Sequence, residues 1–121
     1  MSTRKDIDPV ALRAHLMERR ADLERDDADH RGDRAPVELD QQAVGRLSRM
    51  DAMQVQAMAV ATHERRLREI ARIDAALKRL DDGDFGYCVS CDEPIAAKRL
   101  DLDPAVPTCI KCANEAEHHE A

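Results

Sequence analysis

The sequence predicts a mainly α-helical chain in which a long antiparallel helical hairpin, a coiled coil, precedes a small module organised by four cysteines and a short C-terminal helix. Three observations predict it. Of 121 residues, 36% are charged and only 2% aromatic, the pair being Phe85 and Tyr87, with no Trp. That is the composition of long, solvent-washed helices and not of a large globular core. Leucines and isoleucines recur at three- and four-residue spacing in two stretches separated by a Gly/Pro break. The cysteines stand in two close pairs, Cys88-Val89-Ser90-Cys91 and Cys109-Ile110-Lys111-Cys112. On this reading residues 1–82 form the hairpin, with its tip near 32–45, and residues 83–121 carry the cysteine module.

The first helix is expected to begin at Asp8-Pro9, where Asp8 can cap and Pro9 suits the first helical position. Leu12, Leu16 and Leu23 fall on one stripe, with Arg13, Arg19, Arg20, Asp22, Glu24 and Arg25 elsewhere, which is the narrow seam of a two-helix coil. The helix is expected to fade near His30-Arg31-Gly32, with Gly32 a candidate stop, and Pro36 belongs to the break where the chain reverses.

A second helix should run from Asp40 or Gln41 to Leu80, carrying Leu47, Met50, Leu67, Ile70, Ile73, Leu77 and Leu80, and should end at Asp81-Asp82-Gly83. Met50, Met53 and Met58 read as flexible seam-fillers. Phe85 and Tyr87 are expected to cover the cysteine module or the base of the helices, because so small a module needs large side chains beside it. Pro94, Pro104 and Pro107 divide the intervening segment into short turns and a two-stranded hairpin, and residues 113–117 read as the terminal helix.

Each Cys-x-x-Cys turn can point two thiolates at one ion, and the 17 residues between Cys91 and Cys109 let the chain return. Cys88, Cys91, Cys109 and Cys112 are thus the candidate ligands of one structural Zn2+. Disulfides are disfavoured because the opening MSTRKDIDPV is charged and shows no apolar leader. A thioredoxin-like pair would need a βαβ unit that the pattern does not offer. A [4Fe–4S] cluster suits the even two-plus-two spacing less well than zinc does. Four thiolates on a divalent ion leave two negative charges in excess, which backbone N–H groups must offset, with Lys98, Arg99 and Lys111 as candidate helpers.

A closed four-sulfur site argues against an enzyme, since catalytic zinc keeps a position open. No nucleophile constellation or phosphate-cradling glycine loop is present either. Net charge −6 and pI near 5.3 argue against direct nucleic-acid binding, and the absence of a long apolar run argues against a membrane span. A protein partner is the expectation.

The string Gly83-Asp84-Phe85-Gly86-Tyr87-Cys88, then Cys91-Asp92-Glu93-Pro94-Ile95, Lys98-Arg99-Leu100, Pro104 and Cys109-x-x-Cys112 resembles the C-terminal zinc module of the DksA/TraR family. The helical hairpin before it is similar to that family's architecture, and the chain resembles its shorter, DksA-like members, without a long N-terminal extension. The resemblance implies a bacterial, cytoplasmic transcription regulator that binds RNA polymerase. Such proteins insert a coiled-coil tip through the secondary channel and do not touch DNA. Many act with the alarmone ppGpp in the stringent response, lowering ribosomal RNA synthesis.

Characterised members carry Asp-x-x-Asp-x-Ala at the tip, and this chain departs from that pattern. In Glu38-Leu39-Asp40-Gln41-Gln42-Ala43, Ala43 stands where a second Asp is needed, and Asp51 has no acidic residue three positions before it. Asp40 is the first candidate for a tip carboxylate and Asp51 the second, against a helix-cap reading of Asp40 and a solvated-charge reading of Asp51. Arg46 and Arg49 are candidate polymerase contacts or ordinary solvent-facing helix arginines. His118 and His119 have no partners at ligand spacing. A different class is a zinc- and thiol-dependent sensor or adaptor, in which oxidation of the cysteines releases metal and loosens the fold.

Overall fold

The computed structural model describes residues 4–34 and 46–120, and within these the side chains outside 46–48 and 118–120. Among the described residues four α-helices follow in order: α1 (Pro9–Asp29), α2 (Arg46–Asp82), α3 (Ala97–Leu102) and α4 (Ile110–Glu120), with a 3-10 turn at Arg31–Arg34. The fold is mainly helical. Among the described residues the extended backbone amounts to one isolated bridge, Tyr87 to Pro94. The chain divides into two compact units, Met1–Arg20 with Ile70–Ala121, and Ala21–Glu69.

In the first unit α1 starts as its sequence dictates. Asp8 Oδ1 accepts from the N–H groups of Val10 and Ala11 at 3.1 and 3.2 Å, and Pro9 is the first helical residue. Arg13 donates to Asp81 at 2.7 Å, and Arg20 to Asp74 at 2.7 Å. A position later in α1 therefore meets a position earlier in α2, so the two segments run antiparallel. These exposed pairs hold register more than they stabilise, since surface ion pairs contribute about 0–1 kcal/mol. The core they flank is Leu12, Leu16, Ile73 and Ala76, all buried, and each large side chain among them contributes about 1.5–3 kcal/mol.

Helix α2 ends at a left-handed glycine. Gly83 has φ +80°, its N–H reaches Leu80 O at 3.3 Å, and the Asp84 N–H reaches Arg79 O at 2.9 Å. This paired closure satisfies two of the carbonyls that a helix end leaves free. Beyond it Phe85, Cys88, Ile95, Leu100, Ala105 and Val106 form a small second core, and Tyr87 is half-buried.

In the second unit Leu23 is buried, and Asp27 collects three cationic or polar side chains. Its Oδ1 lies 2.6 Å from His63 Nδ1, 3.0 Å from Arg34 Nη1 and 3.6 Å from Arg66 Nη1.

Several expectations are corrected. Helix α1 ends at Asp29, next to the expected fade at His30, but Gly32 is not a left-handed stop: it lies inside the 3-10 turn without a positive φ. Met50, Met53 and Met58 are 52%, 55% and 70% exposed, so they are not seam-fillers, and Leu67 is also exposed. In place of a two-stranded hairpin after Pro94 the chain forms α3, whose Ala97, Lys98, Arg99 and Leu100 are all good helix formers. Helix α4 begins at Ile110, three residues before the expected start. The expected start of α2 at Asp40 or Gln41 lies outside the described residues.

Candidate metal centre

Two local structures carry the cysteines. In the first, the Cys88 N–H donates to Glu93 O at 2.8 Å and the Asp92 N–H to Cys88 O at 3.0 Å, closing a tight turn around Val89 to Cys91. Asp92 adopts φ +63°, a conformation Asp tolerates better than most side chains do. The turn aims the Ser90 N–H at Cys88 Sγ, 3.4 Å away.

The second is a helix start. Cys109 immediately precedes α4, its carbonyl accepts the Ala113 N–H at 3.0 Å, and its Sγ takes the cap position 3.5 Å from the Cys112 N–H. The Val89 N–H donates to Pro107 O at 2.9 Å and stitches the two structures together.

All four cysteines are free, and their sulfurs lie within 4.8 Å of one another. Cys91 Sγ and Cys109 Sγ are 3.7 Å apart, far beyond a disulfide bond. Tetrahedral Zn–S bonds of about 2.3 Å put sulfurs roughly 3.8 Å apart, so the separation suits a shared ion. Cys88 is buried, Cys109 and Cys112 are half-buried and Cys91 is exposed.

Acidity within the cluster is uneven. Burial opposes ionisation of Cys88, but backbone N–H groups at Cys109, Cys91 and Ser90 outweigh it and bring the thiol down to about 6. Hydrogen bonds to Cys109, Cys88 and Cys91 push Cys112 well up. Four crowded sulfurs cannot all carry charge unless a cation sits among them, and this donor set fits zinc. Arg99, expected to offset thiolate charge, donates to Thr108 O at 3.1 Å.

The four sequence-predicted ligands thus converge. Of the tip candidates, Asp51 and Arg49 are exposed on α2, Arg46 opens that helix with its side chain outside the described residues, and Asp40 lies outside them altogether. Two features escaped sequence reasoning. Arg4 donates into the base of the cysteine module, and Asp27 anchors the cluster in the second unit. Gly86, set between Phe85 and Tyr87, was the available signal for the first, since glycine marks close backbone approach.

Residues 83–118 match the prokaryotic dksA/traR C4-type zinc finger. Over 64 residues, 53% of this chain, it is 38% identical to the RNA polymerase-binding transcription factor DksA of Haemophilus influenzae and 36% identical to that of Escherichia coli. These alignments span 44% and 42% of the two relatives, so the chain covers less than half the length of the curated relatives it matches. The solved structure of transcription factor DksA2 from Pseudomonas aeruginosa superposes with a TM-score of 0.69 at 27% identity, covering 93% of this chain and 84% of that one. Residues 83–118 match a C4-type zinc finger and the four sulfurs cluster within one ion's reach, a donor set consistent with one structural zinc. No helix among the described residues is long and apolar enough to cross a membrane.

Proposed function

We propose that this chain, whose residues 83–118 match the prokaryotic dksA/traR C4-type zinc finger, is a DksA-like transcription regulator that binds bacterial RNA polymerase. The observation that carries the reading is the zinc module itself, seated directly after the left-handed close of α2. In this reading residues 83–121 are a zinc-braced base held by Cys88, Cys91, Cys109 and Cys112, and residues 1–82 are a helical arm whose end enters the secondary channel.

An arm of paired helices gains about 1.5 Å per residue, so some 25 residues reach roughly 35–40 Å. Asp40 is the leading tip carboxylate and Asp51 the second, with Arg46 and Arg49 as neighbouring contacts. Net charge −6 supports action through a protein without direct nucleic-acid contact. Four sulfur donors on one ion leave no open position for chemistry, which supports a non-enzymatic role; the cytoplasmic location belongs to the polymerase-binding reading.

ppGpp at the polymerase interface belongs to the same proposal. The open groove of about 700 Å3 beside Cys109 is lined mostly by apolar residues such as Leu102, Val106 and Ile110, and its Arg72 and Arg99 already engage Asp103 and Thr108 O, so the ppGpp part of the proposal rests on the family reading and not on this groove.

The test is binding of zinc-loaded protein to core RNA polymerase, with ribosomal-promoter transcription on the same samples, with and without ppGpp. Asp40→Asn and Asp51→Asn are carried alongside. Binding with altered transcription, lost in one variant, supports the reading and identifies the tip. Failure to bind at micromolar protein overturns it.

A further inference from the structure

Arg4 lies only four residues before the Asp8 cap of α1, yet its side chain is almost fully enclosed, with 9% exposure. Its Nη1 donates to Gly86 O at 2.7 Å and to Ile95 O at 2.5 Å. These carbonyls belong to the two chain segments that leave and re-enter the first cysteine turn, and the Ile95 N–H itself donates to Gly86 O at 2.8 Å. The guanidinium thus clasps both edges of the ribbon that presents Cys88 and Cys91.

The remaining faces of Arg4 are also occupied. Nε and Nη2 form a two-point pair with Asp6 at 3.0 and 2.6 Å, and the guanidinium carbon stands 5.9 Å from the Tyr87 ring centroid, within cation–π reach. Gly86 makes room for the clasp. A Cβ there would meet Arg4 Cδ at 3.1 Å, Arg4 Nη1 at 3.2 Å and Ile7 Cδ1 at 3.2 Å. Residue type at both ends is therefore specified: a planar fork of donors on one side and a residue without a side chain on the other.

We infer that Arg4 is a positioning residue of the metal centre, and that residues 4–8 form a latch whose closure is linked to zinc. The argument is thermodynamic. Zinc orders the cysteine turn, and the ordered turn presents Gly86 O and Ile95 O at the spacing Arg4 engages. Whatever zinc adds to latch closure, latch closure returns to zinc affinity by the same factor. Groups outside the ligand set that orient it change metal affinity by about 10–100-fold when removed.

The experiment has two arms on the full chain. In the first, zinc affinity is measured by competition with a chromophoric chelator for the native protein, Arg4→Ala, Arg4→Lys and Arg13→Ala. Arg13 holds a surface ion pair with Asp81 and serves as the control for losing an arginine. Arg4→Ala is expected to weaken zinc about 10–100-fold, Arg4→Lys to recover part of the loss, and Arg13→Ala to match the native chain. Cobalt in place of zinc should show the same sulfur-to-metal absorption in all four, because the ligands do not change.

In the second arm, hydrogen exchange is followed in the native chain before and after zinc is stripped with a chelator. The amides of residues 5–8 should exchange faster once zinc is gone. This arm needs no variant, so it decides the matter even if Arg4→Ala does not fold. Native zinc affinity in Arg4→Ala, or N-terminal exchange indifferent to zinc, overturns the inference.

Discussion

Asp27 Oδ1 stands 2.6 Å from His63 Nδ1, and the same oxygen takes Arg34 at 3.0 Å. The hydrogen bond from His63, helped by the charges of Arg34, His63 and Arg66, holds the Asp27 carboxyl below its ordinary range against the opposing effect of partial burial. A carboxylate whose pKa is depressed on folding stabilises the fold above its unfolded value, and that contribution is lost as pH falls through the folded value.

Asp27→Asn is therefore expected to lower the helix melting temperature at neutral pH, with the gap to the native chain closing below about pH 4. The check is melting by circular dichroism from pH 3 to 7. Acid also strips thiolate-bound metal from both proteins, so the informative quantity is the difference between them. A gap that persists unchanged at pH 3 would show that ionised Asp27 is not what stabilises this cluster.

The metal centre carries a second expectation. The core behind it is small, essentially Phe85, Ile95, Leu100, Ala105 and Val106 around buried Cys88. Cores of that size seldom hold without a staple, and metal binding energy then becomes folding energy. Metal analysis of the native protein should return one zinc per chain. Cys91→Ser and Cys109→Ser should each lose it, although one is exposed and the other half-buried. Both should also lose helical signal from α3 and α4. A serine variant that keeps full zinc would remove that cysteine from the ligand set.

How much of this was legible in sequence depends on the range of the interaction. The Asp8 cap, Pro9, the Gly83 stop and both Cys-x-x-Cys turns act within a few residues, and each is found where the pattern puts it. The leucine stripe Leu12, Leu16 and Leu23 is buried as its spacing implies. Helix α2 was harder because apolar residues lie on adjacent stripes, and periodicity alone does not say which stripe faces inward. Near its middle His63 and Arg66 face Asp27, while Leu67 and the three methionines face out. The pairing of His63 with Asp27 is made by a contact 36 residues apart in sequence. Helix α3 was masked by flanking prolines that read as turns, and Arg4 reaches across 82 residues to Gly86.

The two left-handed glycines separate backbone strain from crowding. Gly83 has φ +80° with nothing within 4 Å of an added Cβ, whereas Gly86 has φ +94° with Arg4 and Ile7 in the way. Gly83→Ala should cost about 1–2 kcal/mol, the left-handed penalty alone. Gly86→Ala should cost more, because Arg4 must also give up its place at Gly86 O. Chemical denaturation of the zinc-loaded proteins measures both. Equal costs would mean that Arg4 yields freely.

Helix faces provide the last contrast. Leu16 and Ile73 are 2% and 1% exposed in the core of the first unit, whereas Met58 on α2 is 70% exposed. Truncating a buried leucine removes transfer energy and leaves a cavity, so Leu16→Ala should destabilise by about 2–5 kcal/mol. Met58→Ala removes a side chain already in water and adds a better helix former, so it should stay within about 0.5 kcal/mol. Denaturant melts of the two variants decide between the faces. If Met58→Ala proves as costly as Leu16→Ala, Met58 is packed in solution, and the seam of α2 passes through the methionines after all.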